Sequence, residues 1–255
     1  MLPRCRPMLV TGLALALLTG CTSDGADRRP GDAVTREEAD ALAELLHRNR
    51  EHGGADFVIT APYGEDVVLT LTGEVDFRES LGRAQAVTSF GDGRPDDVRT
   101  VFFTAEDIWV GDVPGLSEAL AAAGEPTAVY LRRPTTAGTD EGTPLLVDVL
   151  VEVLLNLSSP TADDPRAFLD DGYSWQGQRS IDSRLTSLFG LQDGRTVAVA
   201  ASGDLLTQFV TPLAGGEVDV TVTLADHGPR TLAVPSEEET ADAAEHPDIA
   251  ASLGI

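Results

Sequence analysis

A two-residue period of apolar side chains constrains this chain more than any other feature. Residues 217–225 alternate without a break, and every second side chain from Val67 to Phe77 is apolar with one interruption, at Gly73. Successive side chains of a β-strand point to opposite faces, so each segment is predicted to be a strand with one buried face. The apolar sets are Val67, Leu69, Leu71, Val75 and Phe77 in the first strand, and Val218, Val220, Val222 and Leu224 in the second.

Other segments place helices before and between such strands. Thr35 and Glu38 form a capping-box pattern ahead of an apolar stripe, so a helix is predicted from there to Gly53-Gly54. Short helices are predicted over 115–123 and 164–171, and a longer helix over 143–157. Further strands are predicted at 83–90, 99–104, 107–110, 127–132, 173–182, 196–201, 205–210 and 230–234.

This order of elements predicts an α+β fold with a largely antiparallel sheet and helices on one face. Most gaps between successive strands are too short for the crossover helix that a parallel sheet requires. The segment after Pro235 is acidic and is predicted to be a loose tail, residues 236–255.

The helix over 145–157 has an unusual surface, because only Asp148, Glu152 and Asn156 are polar and they form a single narrow stripe. An ordinary surface helix has an apolar stripe of roughly 100°. Two interpretations follow: the helix is buried on most sides, or one apolar flank lines a cavity for an apolar ligand.

The first twenty residues have the layout of a secretion signal. Arg4 and Arg6 precede an apolar run of about ten residues, which is too short to cross a bilayer core that needs about twenty. The run ends in Leu18-Thr19-Gly20-Cys21, which resembles the lipobox of bacterial lipoproteins. Cleavage before Cys21 and its lipidation are predicted, with residues 21–34 as a flexible linker and the protein tethered to the extracytoplasmic face of the cell membrane.

Composition narrows the function classes. The net charge is −24, there is no lysine, and loss of Arg4 and Arg6 would take the charge to −26. Such a surface repels nucleic acid, so no nucleic-acid partner is expected. The four histidines are scattered, and no Gly-x-Ser-x-Gly, phosphate-binding glycine loop or His-Glu-x-x-His motif occurs. No enzyme activity, cofactor or metal is predicted, and a monomer is expected.

Two phrases together resemble a known family. Leu71-Thr72-Gly73-Glu74-Val75-Asp76 occurs early, and the run from Val218 to Pro229 leads into Val234-Pro235 near the end. Their order after a lipobox resembles the actinobacterial LppX/LprAFG lipoprotein family, relatives of the LolA-type carriers, over residues 35–235. The resemblance implies a strongly curved antiparallel half-barrel, helices covering its concave face, and an apolar cavity between them for the acyl chains of lipids or glycolipids.

The resemblance therefore favours the cavity interpretation and a lipoprotein that binds or transfers lipid. A non-transporting envelope regulator that binds a membrane-protein partner, and a structural lipoprotein with a filled core, are the alternatives. The residues expected to line the cavity, from pattern alone, are Leu69, Leu71, Val75, Leu145, Leu146, Val149, Leu150, Val153, Leu154 and Leu157.

Overall fold

The computed structural model describes residues 28–136, 144–170, 172–191, 193–213 and 218–255. The predicted signal peptide, Cys21 and Thr143 lie outside them. The described strands are β1 (Asp32–Ala33), β2 (Gly54–Gly64), β3 (Val67–Asp76), β4 (Leu81–Phe90), β5 (Asp97–Phe103), β6 (Asp107–Gly111), β7 (Tyr130–Pro134), β8 (Ser174–Ile181), β9 (Arg184–Gly190), β10 (Thr196–Ala200), β11 (Leu206–Pro212), β12 (Asp219–Ala225) and β13 (Thr240–Asp242). The helices are α1 (Arg36–His52), α2 (Leu116–Ala123), α3 (Leu146–Leu155), α4 (Pro165–Asp170) and α5 (Pro247–Leu253).

All thirteen strands form one sheet in the order β1-β8-β9-β10-β11-β12-β2-β3-β4-β5-β6-β7-β13. Every neighbouring pair is antiparallel except β7 and β13, which are parallel. Open sheets rarely exceed about ten strands without curling, because the twist of each strand accumulates across the sheet. The sheet is accordingly open and curved, and the predicted α+β class with a largely antiparallel sheet is confirmed.

One face of the sheet carries the core. In β2, Phe57 and Ile59 are buried while the intervening Val58 is exposed, and in β3 the predicted apolar set from Leu69 to Phe77 is buried. Buried residues of α1, α2, α3 and α5 join the same hydrophobic cluster. The helices therefore cover the apolar face of the curved sheet.

Gly73 explains the one interruption in the alternation of β3. A Cβ atom at this position would lie 1.9 Å from the carbonyl oxygen of Arg83 on the neighbouring strand β4. Only glycine allows this close approach of the two backbones.

The predicted capping box begins α1. The Thr35 hydroxyl accepts a hydrogen bond from the Glu38 backbone N–H at 3.2 Å, and the Glu38 carboxylate accepts one from the Thr35 N–H at 2.8 Å. Replacing Thr35 with alanine is expected to lower the free energy of unfolding by about 1 kcal/mol, because one backbone donor of the helix terminus loses its partner. Urea denaturation measures this difference, and an unchanged midpoint would show that the cap contributes nothing.

Two expectations about the chain ends are wrong. Asp32 and Ala33, in the predicted linker, form β1 against the start of β8. The segment after Pro235 is not a loose tail, since it contains β13 and α5. Ala241 and Ala250 are buried there, and Asp242 accepts a 2.9 Å bond from Arg132 of β7. Small apolar residues spaced among the acidic ones supply this packing.

The strand predicted at Arg230–Val234 is absent from the described residues. Both edges of β12 are already paired, with β11 and β2, so a hairpin partner after β12 has no free edge. Arg230 instead reaches back to Asp56 at 2.8 Å. Conversely, β9 was not predicted. It follows β8 through Asp182 and Ser183, whose positive φ angles of 47° and 65° make a tight hairpin turn.

His227, just after β12, predicts an acid sensitivity of the fold. Burial, followed by the nearby Arg184 and His52, lowers the pKa of His227 from 6.5 to about 4. The unfolded chain therefore binds a proton that the folded chain does not between pH 6.5 and 4, so stability falls as the pH falls through this window. On acidification, the free energy of unfolding of His227→Asn should fall by about 1–2 kcal/mol less than that of the wild type. This figure allows for screening of the charge at a half-buried site. Urea denaturation at pH 7 and pH 4.5 tests this, and equal losses in both proteins would contradict it.

Candidate functional site

The middle of α3 is filled by its own protein. Leu150 and Leu154 are 0% exposed and Val151 is almost as deeply buried. All three belong to the same core cluster as the strands. For this part of the helix, the interpretation of a simply buried helix is therefore correct, and the predicted cavity does not run along its whole length.

An apolar cavity lies at the C-terminal end of α3, and we call it cavity A. Its volume is about 330 Å³. Its residues come from α1, the end of α3, α4 and the adjoining ends of strands β8 to β11. They are Leu42, Leu45, Leu46, Val153, Asn156, Leu157, Asp163, Phe168, Tyr173, Leu191, Arg195, Val197, Leu206, Phe209 and Thr211.

The wall of cavity A is mainly aliphatic and aromatic. Leu42 and Leu45 reach it from the buried stripe of α1, and Leu206 from the sheet is fully buried behind them. The rings of Phe168 and Tyr173 lie against each other with their centroids 4.7 Å apart. The cavity thus combines a closed aliphatic floor with half-buried aromatic residues at its side.

Hydrogen bonds to α1 hold the segment that follows α3 in place. The side-chain N–H of buried Asn49 donates to the Leu157 carbonyl at 2.7 Å. The Ser159 N–H donates to the Leu46 carbonyl at 3.1 Å, and the Asp163 N–H to the Ala43 carbonyl at 2.9 Å. Because α1 supplies both wall residues and these anchors, the shape of cavity A depends on the contact between α1 and the segment 157–163.

Few polar side chains border cavity A. Arg195 pairs with Asp193 at 2.6 Å, and its hydrogen bond to that carboxylate raises the pKa of Arg195. Asn156, Asp163 and Thr211 are the other polar residues. This arrangement can desolvate hydrocarbon.

A second cavity, cavity B, lies at the N-terminal end of α3 and has a volume of about 240 Å³. Leu145, Leu146 and Val147 form one side of it, and Leu69 of β3 forms part of the sheet side. Gly254 and Ile255 also line it, so the last residues of the chain form part of its wall.

A buried ion pair borders cavity B, since Arg133, which lines the cavity, binds Asp148 of α3. Both terminal nitrogens of Arg133, on β7, donate to the Asp148 carboxylate, at 2.8 and 2.7 Å. The backbone N–H and hydroxyl of Thr136 donate to the same carboxylate at 2.6 and 2.7 Å. Burial acts to raise the pKa of Asp148, but these hydrogen bonds outweigh it and hold the pKa below its ordinary value. Asp148, the first residue of the predicted polar stripe, thus connects α3 to the sheet in the protein interior.

The predicted lining residues divide into four groups. Val153 and Leu157 line cavity A, while Leu69, Leu145 and Leu146 line cavity B. Val149 is half-buried and lines neither cavity. The remaining predicted residues are core side chains that border neither cavity, namely Leu71, Val75, Leu150 and Leu154.

Most residues of cavity A were missed from the sequence. The stripe of Leu42, Leu45 and Leu46 was recognised as a helix face, but nothing in it distinguishes a cavity wall from core. Val197 and Phe209 belong to paired strands, at positions opposite each other in the register of β10 and β11. Pairing of these two predicted strands is the sequence signal that could have placed Val197 and Phe209 on the same wall.

Neither a metal site nor a membrane span is found among the described residues. No three His, Cys, Asp or Glu side chains lie close enough together there to hold a metal ion. None of the described helices has the length and apolarity needed to cross a bilayer.

Comparisons with known proteins find similarity among solved structures only, since no family model and no curated protein matches the chain. LprF from Mycobacterium bovis is similar at 11% identity, with a TM-score of 0.47 over 80% of this chain and 98% of that one. An uncharacterised conserved protein from Thermus thermophilus has 9% identity and a TM-score of 0.38, over 81% and 98%. The LolA superfamily protein NE2245 from Nitrosomonas europaea has 13% identity and a TM-score of 0.31, over 79% and 96%. Two of these structures, LprF and NE2245, bear the names of the family and the superfamily that the motifs of β3 and β12 resemble.

Proposed function

We propose that this chain is a lipid-anchored envelope protein that holds a hydrocarbon chain of a lipid in cavity A. The observation that carries the proposal is an apolar cavity of about 330 Å³ bounded by α1, α3, α4 and the sheet. Ligand pockets in proteins are typically about 300–1,000 Å³ and mostly apolar, and cavity A falls at the lower end of that range.

The volume of cavity A favours a ligand with one inserted chain. Leu150 and Leu154 lie on α3 between its two ends and are fully buried, so a long chain cannot pass along α3 without moving core side chains. Six methylenes buried in cavity A would contribute about 5 kcal/mol, at about 0.8 kcal/mol each. That is enough for retention of a lipid whose other parts stay outside.

The polar residues of cavity A suit an amphiphile. Asn156 is exposed at the end of α3, and Arg195 and Asp193 form an exposed ion pair. A headgroup beside these groups would remain solvated while its hydrocarbon contacts Val153, Leu157 and the strands. Lipid and glycolipid headgroups both meet this requirement.

The anchor is the second part of the proposal. The lipobox-like sequence ending at Cys21 supports cleavage and lipidation there, which would place the domain on the extracytoplasmic face of the cell membrane. An anchor at this position keeps the cavity close to a supply of lipid.

Loading of a non-acylated protein tests the binding function. The secreted Cys21→Ser variant, freed of bound lipid, would be incubated with palmitate or with phosphatidylcholine and analysed by native mass spectrometry. A one-to-one adduct is expected, and its dissociation on detergent addition would show that it is not covalent. Absence of any adduct, with the fold intact by circular dichroism, would reject lipid binding and favour the regulator alternative.

A further inference from the structure

The first described residues are fixed to the start of β8. Asp32 and Ala33 pair with Trp175 and Ser174, and the Gly31 N–H donates to the Trp175 carbonyl at 2.8 Å. The Arg28 guanidinium lies 4.9 Å from the centroid of the Trp175 ring. The first described residues of the chain therefore lie beside this tryptophan.

The start of β8 is also the rim of cavity A. Tyr173, which lines the cavity, is two residues before Trp175, and its ring contacts Phe168 of α4. The next residue of α4, Leu169, is 41% exposed. We define the rim as Phe168, Leu169, Tyr173 and Trp175.

Six residues lie between Cys21 and Arg28, so seven Cα–Cα steps join them. A chain of this length spans at most about 25 Å, at roughly 3.3–3.6 Å per residue. With Cys21 in the bilayer, which rests on the anchor proposed above, we infer that the rim of cavity A docks on the membrane surface. The binding partner that we infer for the rim is a phospholipid bilayer.

The chemistry of the rim fits a bilayer interface. Trp and Tyr side chains concentrate at the level of lipid headgroups, where an apolar ring and a polar group are both accommodated. Two ion pairs lie near the rim, Arg28 with Glu38 and Arg195 with Asp193.

Docking of the rim gives cavity A a route to its ligand. Hydrocarbon could pass between the bilayer and the cavity beside Phe168 and Tyr173 without crossing bulk water. This deepens the proposed function, because it names the bilayer as the surface that supplies or receives the ligand.

The two tryptophans of the chain allow a direct test. Trp175 is at the rim, whereas Trp109 lies on β6, on the other half of the sheet. The acylated full-length lipoprotein would be made as Trp109→Phe and as Trp175→Phe and placed on phosphatidylcholine vesicles with brominated acyl chains. We expect quenching of Trp175 to be several-fold stronger than quenching of Trp109.

Two exposed leucines provide a matched pair of variants in the Trp109→Phe protein. Leu169→Glu places a charge on the rim and is expected to lower the quenching of Trp175 at least twofold. Leu185 is 54% exposed and lies at the end of β9 that is farther from the rim. Leu185→Glu should therefore leave the quenching of Trp175 unchanged. Equal quenching of the two tryptophans, or equal effects of the two variants, would overturn the inference.

Flotation of the same vesicles separates this inference from the proposal on which it rests. If the protein does not float with the vesicles, the proposed lipid anchor is wrong, and the inference that the rim docks on the bilayer is rejected as well. If it floats while Trp175 is quenched no more than Trp109, the anchor stands and the docked rim is rejected. Lipid loading of the non-acylated variant is measured independently of both.

Discussion

Asp148→Ala is expected to lower the free energy of unfolding by about 3–5 kcal/mol, because it leaves a buried arginine without its counter-charge. The Arg133 side chain is only 9% exposed and donates two hydrogen bonds to the lost carboxylate. Denaturation by urea measures the change. The variant also removes the acceptor of two Thr136 hydrogen bonds, so the connection between β7 and the start of α3 should loosen.

The neighbouring arginine supplies the control. Arg132 pairs with Asp242 at 2.9 Å, but both side chains are substantially exposed. Asp242→Ala should therefore cost at most about 1 kcal/mol. Equal losses in the two variants would contradict the structural role given to Asp148.

The acid dependence of the Asp148 contribution has a definite sign. The pKa of Asp148 is lowered in the folded protein from its ordinary value of 3.8. The contribution is therefore complete above about pH 4 and is lost as the pH falls further. The difference between wild type and Asp148→Ala should shrink only in that acid range.

Val153→Trp is expected to weaken lipid loading at least tenfold. Val153 lines cavity A and is half-buried, so a larger side chain can occupy the cavity without displacing the core. Exclusion of two methylenes of the ligand would cost about 1.6 kcal/mol, which exceeds the roughly 1.4 kcal/mol of a tenfold change. Displacement of a fluorescent fatty acid from the non-acylated protein measures the affinity.

Val149→Trp is the matched variant. Val149 lies one helical turn earlier on α3, is also half-buried, and lines neither cavity. Its replacement should leave the affinity within about twofold of wild type. Loss of binding in Val149→Trp with retention in Val153→Trp would place the ligand elsewhere.

Local patterns in the sequence predicted much of the fold. The alternation of β3 and β12 and the capping box of α1 depend on residues within one element, so each was visible without knowledge of the neighbours. The antiparallel arrangement followed from short connections. The failure at Arg230–Val234 has a non-local cause, since the edges of β12 are occupied by strands distant in sequence.

The site was less predictable, because a cavity is a property of packing between distant segments. The apolar surface of α3 is the same whether neighbouring side chains or a ligand cover it. Nothing in the sequence therefore distinguishes Leu150 from Val153. Only the positions of α1 and of β10–β11 decide that the first is core and the second borders a cavity. Asp148 belongs to the narrow polar stripe of α3, and its partner Arg133 could not be identified from spacing.

Photocrosslinking is the most direct test of acyl-chain binding in cavity A. A fatty acid with a diazirine near the end of its chain would be loaded into the non-acylated protein, irradiated, and located by peptide mass spectrometry. Crosslinks are predicted on residues of cavity A, foremost Leu46, Val153 and Phe209. Crosslinks confined to the residues of cavity B, or spread over the outer face of the sheet, would contradict hydrocarbon binding at the C-terminal end of α3.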